Sequence, residues 1–160
     1  MTVAVFQFNE TSPNAASTTV LSVNTVKGSL GVPGVASDVS LYQSITVSAI
    51  LVGATGGTLD VWLQNSHDDG TTWFDYAHWP QVAAGAAELD VVWSASQGAQ
   101  QTTMTTVGKN LFPLLAANVV IGGPWGGRFR LIMKSGVGTT AGSVVIITIA
   151  AQMQPSAYRS

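Results

Sequence analysis

The chain has 160 residues, of which only 9% are charged, and its formal net charge at pH 7 is −2. This length fits a single domain with a sizeable core, and the absence of cysteine excludes disulfides and thiolate metal sites as staples of the fold. No basic leader opens the chain and no apolar run is long enough for a bilayer, so we expect a soluble protein without a membrane partner.

Alternation of apolar and polar residues with a period of two dominates the chain and predicts half-buried strands. Glycine-containing turns separate these segments. The fold class that follows is all-β: a β-sandwich of about eight or nine strands, jelly-roll-like, with little helix. In chain order, the predicted strands cover residues 3–8, 18–23, 39–52, 59–64, 73–79, 88–93, 119–121, 128–134 and 143–152.

The N-terminal part differs from the rest, because residues 9–37 are the least hydrophobic stretch and are rich in Ser, Thr and Asn. They form either a surface loop or an extended arm that adds a strand to a neighbouring subunit. We therefore divide the chain into an N-terminal strand or extended arm, residues 1–35, and a β-sandwich domain, residues 36–160. Elsewhere, residues 96–106 are expected to be a loop or an edge strand, and residues 111–118 have room for one helical turn.

Two features bear on contacts between subunits. Residues 144–151 are apolar on both faces, so this strand must be covered twice, either centrally in its sheet or at an interface. All eight acidic residues lie at or before Asp90, whereas every basic residue except Lys27 follows it. That division gives either cross-strand neutralisation within the sandwich or charge-matched contacts between subunits.

The most specific local pattern is a turn motif, SHDDGTTW. The motif resembles the Asp-box hairpin of sialidases and other β-propellers, where the carboxylate satisfies turn amides, the glycine permits a positive φ and the tryptophan packs beneath. A propeller needs several blades, and a sialidase needs an arginine cluster and a tyrosine nucleophile. The chain has one copy of the motif and three arginines, so only the structural turn is carried over. The defined positions are Ser66, Asp68, Gly70, Thr72 and Trp73.

The wider segment 58–79, TLDVWLQNSHDDGTTWFDYAHW, is similar to a hairpin in small virion proteins of tailed bacteriophages. A strand, an S-x-D-G-T-W-like turn and a returning aromatic strand recur there. The resemblance implies a non-enzymatic virion structural protein with no cofactor: a capsid decoration or cement protein, or a tail or head–tail component. It also implies partners, namely copies of the chain, as a trimer at threefold points of a shell, and major capsid or other virion proteins. The location that follows is a virion assembled in the host cytoplasm.

Metal and catalytic sites find little support in the sequence. His67 and His78 have no close third ligand, so no zinc or nickel site is predicted. A calcium ion at Asp68, Asp69 and Asp75 remains an alternative, because loop carboxylates suit calcium, although the spacing matches no EF-hand. The chain has no nucleophile elbow and no phosphate-binding loop. We therefore predict no catalytic residue, no metal and no enzyme activity.

The aromatic side chains along residues 62–79 have two interpretations. Alternation places Trp62 on the polar face of its strand. On the next strand, it places Tyr76 and Trp79 on opposite faces. Such a stripe is usually core. If it is exposed, Trp62, Tyr76 and Trp79 form an interface or a sugar-stacking platform, and the chain is a carbohydrate-binding module.

A basic row is predicted near the C-terminal end of the sandwich, where Arg128, Arg130 and Lys134 lie on one strand. Three positive charges in an acidic chain are too few for a phosphate backbone, so we predict no nucleic-acid partner. Arg128 and Arg130 instead join the aromatic residues as candidates for an interface or a ligand platform.

Overall fold

The computed structural model describes residues 3–11, 19–25, 42–52, 57–83, 89–98, 104–136 and 144–152. These residues form nine strands in two sheets and contain no helix, which confirms the predicted all-β sandwich. Accordingly, none of them belongs to a helix of the length and apolarity that a membrane crossing requires. The strands are β1 (Val3–Thr11), β2 (Thr19–Thr25), β3 (Ser44–Val52), β4 (Leu59–Ser66), β5 (Phe74–His78), β6 (Leu89–Ser96), β7 (Val119–Val120), β8 (Arg128–Ser135) and β9 (Val144–Gln152).

Both sheets are antiparallel. The first has the order β1-β9-β3-β6, and the second has the order β2-β8-β4-β5-β7. The first strand lies beside the last, from Val3 opposite Gln152 to Thr11 opposite Val144. β1 belongs to the first sheet and β2 to the second, and the division at residue 35 stays a prediction. The segment 26–41 lies outside the described residues.

The core lies between the facing sides of the two sheets. In β3, every second side chain from Ile45 to Leu51 is buried, whereas Thr46 and Ile50 are exposed on the outer face. Large side chains buried in this way contribute about 1.5–3 kcal/mol each. The facing side of the second sheet supplies Leu59, Val61, Leu63, Phe129, Leu131 and Met133.

The doubly apolar strand, β9, occupies a central place in its sheet, between β1 and β3. Its core-facing residues, such as Ile147 and Ile149, are fully buried. Its outward residues Ile146 and Thr148 are half-buried. The central position is one of the two alternatives that the sequence left open.

A β-bulge in β5 overturns the strict alternation predicted for residues 73–79. Leu63 and Gln64, consecutive in β4, pair with residues of β5 that are two positions apart. Tyr76 lies between those two positions and has no partner in β4. The extra residue brings Tyr76 and Trp79 into the same core, where alternation predicted opposite faces. Burial raises the pKa of the Tyr76 hydroxyl above its ordinary value.

Residues 104–118 cross the outer face of the second sheet without forming a helix. Leu115 is buried there against Trp62. The helical turn predicted for residues 111–118 is therefore wrong. The backbone N–H groups of Leu114 and Leu115 are hydrogen-bonded to a side-chain carboxylate, so they do not serve a helical ladder.

Candidate functional site

Residues 108–115, the apolar loop, expose large hydrophobic side chains on the outer face of the second sheet. Leu111 is 42% exposed, Phe112 79% and Leu114 67%. A single exposed leucine is ordinary on a protein surface, but three large apolar residues within four positions form a patch. The apolar loop is thus the most unusual surface feature of the part of the chain that the structure describes.

A buried carboxylate holds the apolar loop from below. Asp75, which is only 3% exposed, accepts the backbone N–H groups of Gly108, Leu114 and Leu115 at Oδ2, over 2.8, 2.8 and 2.9 Å. Hydrogen bonds to an ionised acceptor are stronger than neutral ones. Both ends of the apolar loop are therefore fixed to one atom of β5.

The other oxygen of Asp75 joins a polar network that runs across three strands. Asp75 Oδ1 accepts Gln64 Nε2 at 2.8 Å, and Gln64 Oε1 accepts Arg130 Nε and Nη2 at 3.0 and 2.8 Å. The guanidinium of Arg130 also lies 4.6 Å from the centre of the Trp73 ring. Burial lowers the pKa of Arg130, and the Asp75 carboxylate opposes that shift. The network connects a buried anion to a cation, which reduces the cost of burying the carboxylate.

The backbone of the apolar loop is tightly folded. Phe112 N–H donates to Lys109 O at 3.1 Å, and Asn110 has a φ of 54° while its N–H donates to Trp73 O at 2.8 Å. Gly108 lies so close to the returning chain that a Cβ there would collide with the backbone of Phe112 and of the next two residues. Only glycine fits at that point, so this loop conformation depends on Gly108.

A second anchor holds the C-terminal end of the apolar loop. Leu115 O accepts Trp62 Nε1 at 3.2 Å and His78 Nδ1 at 2.7 Å, and the two rings are stacked at 4.0 Å. His78 Nε2 lies 3.3 Å from Asp60 Oδ1. Burial raises the pKa of Asp60, but hydrogen bonds from His78 and Gln81 outweigh it and hold that pKa below its ordinary value.

The predicted turn residues all take part in the hairpin between β4 and β5. Asp68 Oδ1 accepts Ser66 Oγ at 2.9 Å and Thr72 N–H at 2.6 Å, and the bond from Thr72 lowers the pKa of Asp68. Gly70 has a φ of 93°, its N–H donates to Ser66 Oγ, and its carbonyl accepts Trp73 Nε1 at 2.8 Å. The contacts are internal to the hairpin.

The aromatic platform predicted at Trp62, Tyr76 and Trp79 is wrong, because these rings are buried. Trp62, Tyr76 and Trp79 are each at most 5% exposed, so none of their rings is available to stack on a sugar. The bulge in β5 and the cover provided by residues 104–118 account for their burial. Arg128 and Arg130 were predicted to join this platform. Arg130 instead donates to Gln64 in the buried network, and Arg128 Nε forms an ion pair with Asp69 Oδ1 at 2.7 Å.

Three of the candidate metal ligands, Asp69, Asp75 and His78, form hydrogen bonds or ion pairs with other protein groups. Asp75 gives both oxygens to N–H donors, Asp69 pairs with Arg128, and His78 is bonded to Leu115 and Asp60. Within residues 57–83 and the other described ranges, no three His, Asp or Glu side chains are grouped as metal ligands would be. The calcium alternative therefore has no support in the geometry.

The pairing of β4 with β8 brings residues of the acidic N-terminal part of the sequence next to residues of the basic C-terminal part. Acidic or polar residues of β4 lie opposite basic residues of β8, as in Asp60 opposite Lys134 and Gln64 opposite Arg130. The ion pair of Arg128 with Asp69 connects the same two parts of the sequence. These contacts correspond to cross-strand neutralisation, the first of the two alternatives predicted.

Sequence reasoning missed the residues at the centre of this site. The sequence indicates Asp75 only as an alternative calcium ligand, and it assigns no role to Gln64. The apolar loop did leave a signal: Leu111 to Leu115 is an uninterrupted apolar run that lacks alternation, which is unusual in a loop.

No family model and no curated protein matches the chain. Three solved chains of infectious bursal disease virus are similar to it. A chain from the structure of the Gx strain has 12% identity over 99% of this chain and 35% of the other, with a TM-score of 0.41. The T13 viral particle has 8% identity over 97% and 40%, with a TM-score of 0.29. A mutant VP2 protein in derived T=1 particles has 11% identity over 97% and 41%, with a TM-score of 0.27.

The chain spans about two-fifths or less of the length of these three proteins. TM-scores this low carry no argument for a shared function. The three similar structures come from infectious bursal disease virus and not from a tailed bacteriophage, so the tailed-phage resemblance of the hairpin stays a prediction.

Proposed function

We propose that the chain is a non-enzymatic structural protein of a virion, which stabilises the particle by contacts with its own copies and with neighbouring subunits. The observation that carries the proposal is the apolar loop. Its hydrophobic side chains face solvent in the single chain, while a buried network fixes its backbone. A rigid surface with exposed apolar groups is pre-organised for a protein partner, because little conformational entropy is lost on binding.

The outer face of the first sheet supports the same role. It carries one exposed carboxylate, Asp90, opposite Ile50. Its other residues include small neutral side chains, such as Thr46 and Ser94, and the exposed apolar residues Ile50 and Val92. Groups of this kind cost far less to desolvate than ions do. A chain with so few charges is therefore suited to contact with neighbours over large areas.

The strand order agrees with this proposal. Without the two-residue strand β7, the chain forms two four-stranded sheets, and its first strand is paired with its last. Eight strands in two such sheets are typical of the jelly roll, an architecture found in capsid and lectin domains. Because lectins share the architecture, the strand order is support for a virion role and not its foundation.

Among virion roles, we propose capsid decoration or cement, and the alternative is a tail or head–tail component. The preference rests on the resemblance of residues 58–79 to a phage virion hairpin. In this role the partners are copies of the chain and major capsid proteins, in a particle assembled in the host cytoplasm. The carbohydrate-binding alternative loses its basis, because its three aromatic rings are buried.

The test uses shells assembled without the chain, to which the purified full chain is then added. A decoration protein should co-sediment with these shells up to a saturating ratio and should raise the temperature at which they rupture. Leu114→Asp, in the apolar loop, should abolish this binding. Met104→Asp should not, because Met104 is fully exposed but lies outside the loop.

A tail or head–tail component would not bind shells, yet it would still be found in purified particles by mass spectrometry. The virion proposal itself is contradicted if the chain is absent from particles and its deletion leaves their composition unchanged. Equal binding by wild type and by Leu114→Asp would show that the apolar loop is not the contact.

A further inference from the structure

The strand β6 forms one end of the first sheet and has an open backbone edge. It pairs with β3 from Leu89, opposite Leu51, to Ser96, opposite Ser44, without a register shift. On its other side, no strand of the described part of the chain pairs with it. An open edge of this length is a template for pairing with another strand. The edge of β6 is thus a candidate interaction surface, separate from the apolar loop.

The pairing with β3 shows which backbone groups of β6 face the open edge. Gln97 N–H donates to Gln43 O at 2.7 Å, and these two residues continue the register of β3 and β6. Hydrogen-bonded pairs alternate with non-hydrogen-bonded pairs in an antiparallel ladder. Asp90, Val92 and Ser94, each an odd number of positions from Gln97, therefore direct their N–H and C=O groups away from β3. Among the described residues, no hydrogen bond from a turn or loop reaches these groups.

The side chains of β6 also indicate an uncovered edge. The core-facing residues of β3 are at most 1% exposed, whereas those of β6, including Val91 and Trp93, are only half-buried. Proline, lysine and bulges often block open edges, and β6 has none of them. Its single charged side chain is that of Asp90. A strand placed beside β6 would therefore cover apolar area that the single chain leaves accessible.

From these observations we propose that β6 pairs with β6 of a second copy of the chain, antiparallel about a twofold axis at Val92. In purpose the contact rests on the proposed function, because it names one place where copies meet in the particle. Val92 then lies opposite Val92 of the second copy, and Asp90 lies opposite Ser94 of the second copy. These residues all present free backbone groups, so each opposed pair exchanges two hydrogen bonds. The first sheets of the two copies become one continuous sheet.

Charge and hydrogen bonding select this register. Asp90 meets a serine, and the Ser94 hydroxyl of the second copy can donate to its carboxylate. Ser94 Oγ lies 3.2 Å from Thr46 Oγ1, and either hydroxyl can be the donor in that bond, so Ser94 can accept from Thr46 while it donates to Asp90. Moving the axis to Val91 would place the carboxylate against Val92. Moving it to Asp90 would place two carboxylates against each other, which is unfavourable.

Apolar contacts favour the same register on both faces of the sheet. On the outer face, Val92 is 68% exposed in the single chain and meets an identical side chain across the axis. On the core side, Val91 lies opposite Trp93 of the second copy. Pairs of an aromatic and a β-branched residue stabilise neighbouring strands, and non-hydrogen-bonded positions such as these bring side chains closest. A second copy therefore complements the edge in hydrogen bonding, charge and apolar area.

The contact is isologous, because both copies use the same strand, and it closes after two copies. The trimer that the phage resemblance implies would need a different surface. The apolar loop lies on the outer face of the second sheet and is not part of the contact. A dimer formed in this way presents two apolar loops to a shell.

Hydrogen exchange on the purified full chain tests the open edge. As the protein concentration rises, the amides of Asp90, Val92 and Ser94 should become protected, because they then bond to the second copy. The amides of Val91 and Trp93 should be protected at every concentration by their bonds to β3. Light scattering should show dimers over the same concentration range. Protection that rises with concentration elsewhere but not at Val92 would overturn the proposed contact.

A disulfide across the axis tests the register, because the chain has no cysteine of its own. In a hydrogen-bonded pair the Cα atoms are about 5.5 Å apart, within the range that a disulfide bridges. Val92→Cys should therefore form a covalent dimer under mild oxidation. The matched control is Ser94→Cys, on the same strand and face, which lies four strand positions from its counterpart, or roughly 13 Å. Covalent dimers from the control but not from Val92→Cys would contradict the axis at Val92.

Two substitutions at the axis should prevent the pairing. Val92→Lys places like charges opposite each other and should raise the Kd of the dimer at least about tenfold. Val92→Pro should do the same by removing the N–H that faces the open edge, a position at which edge strands tolerate proline. Ile50→Lys is the control, because Ile50 is on the same outer face but on β3, and it should dimerise as the wild type does. Melting curves at low concentration check that each variant is folded.

The outcomes distinguish this contact from the proposed function. Leu114→Asp should abolish binding to shells and leave the dimer intact. Dimers that persist in both Val92→Lys and Val92→Pro overturn the β6 contact, as does a wild-type chain that is monomeric yet binds shells, and in either case the virion role stands. A chain that dimerises through β6 but is absent from particles overturns the virion role, while the pairing stands as a property of the chain.

Discussion

Gln64 lies between Arg130 and Asp75, accepting two N–H bonds from the guanidinium and donating one to the carboxylate. An amide can do this because it has an acceptor and a donor on the same planar group. Through Gln64, the Arg130 guanidinium on β8 is connected by hydrogen bonds to the Asp75 carboxylate on β5. The position of the apolar loop thus depends on three side chains, none of which belongs to the loop.

The first prediction concerns the carboxylate itself. Asp75→Asn removes the charge and turns part of the group into a donor facing other N–H donors. The free energy of unfolding should fall by about 1–3 kcal/mol, the cost of leaving buried partners unsatisfied, and the amides of Leu114 and Leu115 should exchange faster. Asp69→Asn is the matched control, because its ion pair with Arg128 is on the surface and should contribute at most about 1 kcal/mol. Equal effects of the two substitutions would contradict a special role for Asp75.

The second prediction separates loop shape from loop chemistry. Gly108→Ala adds a Cβ where the backbone of Phe112 leaves no room, so the apolar loop must shift. Assembly should weaken although every apolar side chain is still present. Chemical shifts should change throughout residues 108–115 but not in β9. Gly98→Ala is a suitable control, since a Cβ there would meet only the end of a serine side chain. Normal assembly by Gly108→Ala would show that the loop is not pre-organised.

The third prediction is a dependence of stability on pH. The pKa of Asp60 is lower in the folded chain than its ordinary value of 3.8, so the unfolded chain binds the proton more readily. The contribution of Asp60 is therefore fully present above about pH 5 and is lost as the pH falls through the folded pKa. Asp60→Asn should be less stable than wild type at pH 7, and the difference should shrink steadily below pH 4. A difference that stays constant from pH 7 to pH 2, measured by urea unfolding, would refute this assignment.

The fourth prediction addresses the turn between β4 and β5. Asp68→Ala removes the acceptor for the Ser66 hydroxyl and the Thr72 amide, so the melting temperature should fall and the hairpin amides should exchange faster. Metal ions should leave the wild type and the variant equally unaffected. Should the variant keep its stability but lose the binding of a metal or ligand, the structural interpretation of the turn would be wrong.

Much of the fold is predictable from the sequence because apolar and polar residues alternate with a period of two along strands that have one buried face. In β3, alternate burial from Ile45 to Leu51 follows the pattern directly. The pattern fails at Tyr76, because a bulge inserts one residue and local sequence does not mark it. It fails also for Trp62, which is buried by residues far away in the chain.

The candidate site was less accessible to sequence reasoning for a related reason. Asp75 and Leu114 are 39 positions apart, and only the tertiary fold brings that carboxylate to the loop amides. The turn motif at Ser66 to Trp73 was readable, because its contacts span four positions or fewer. Local hydrogen bonding leaves a pattern in the sequence, whereas long-range hydrogen bonding does not.

The pairing of β1 with β9 has a consequence for biosynthesis. Synthesis must reach Gln152 before Val3 can find its partner, so the first sheet cannot close until residues 3–152 have all been made. Pairings over such separations form slowly, and until they form, β3 and β9 expose unpaired edges. Newly made chains therefore pass through a period in which chaperones can act on them.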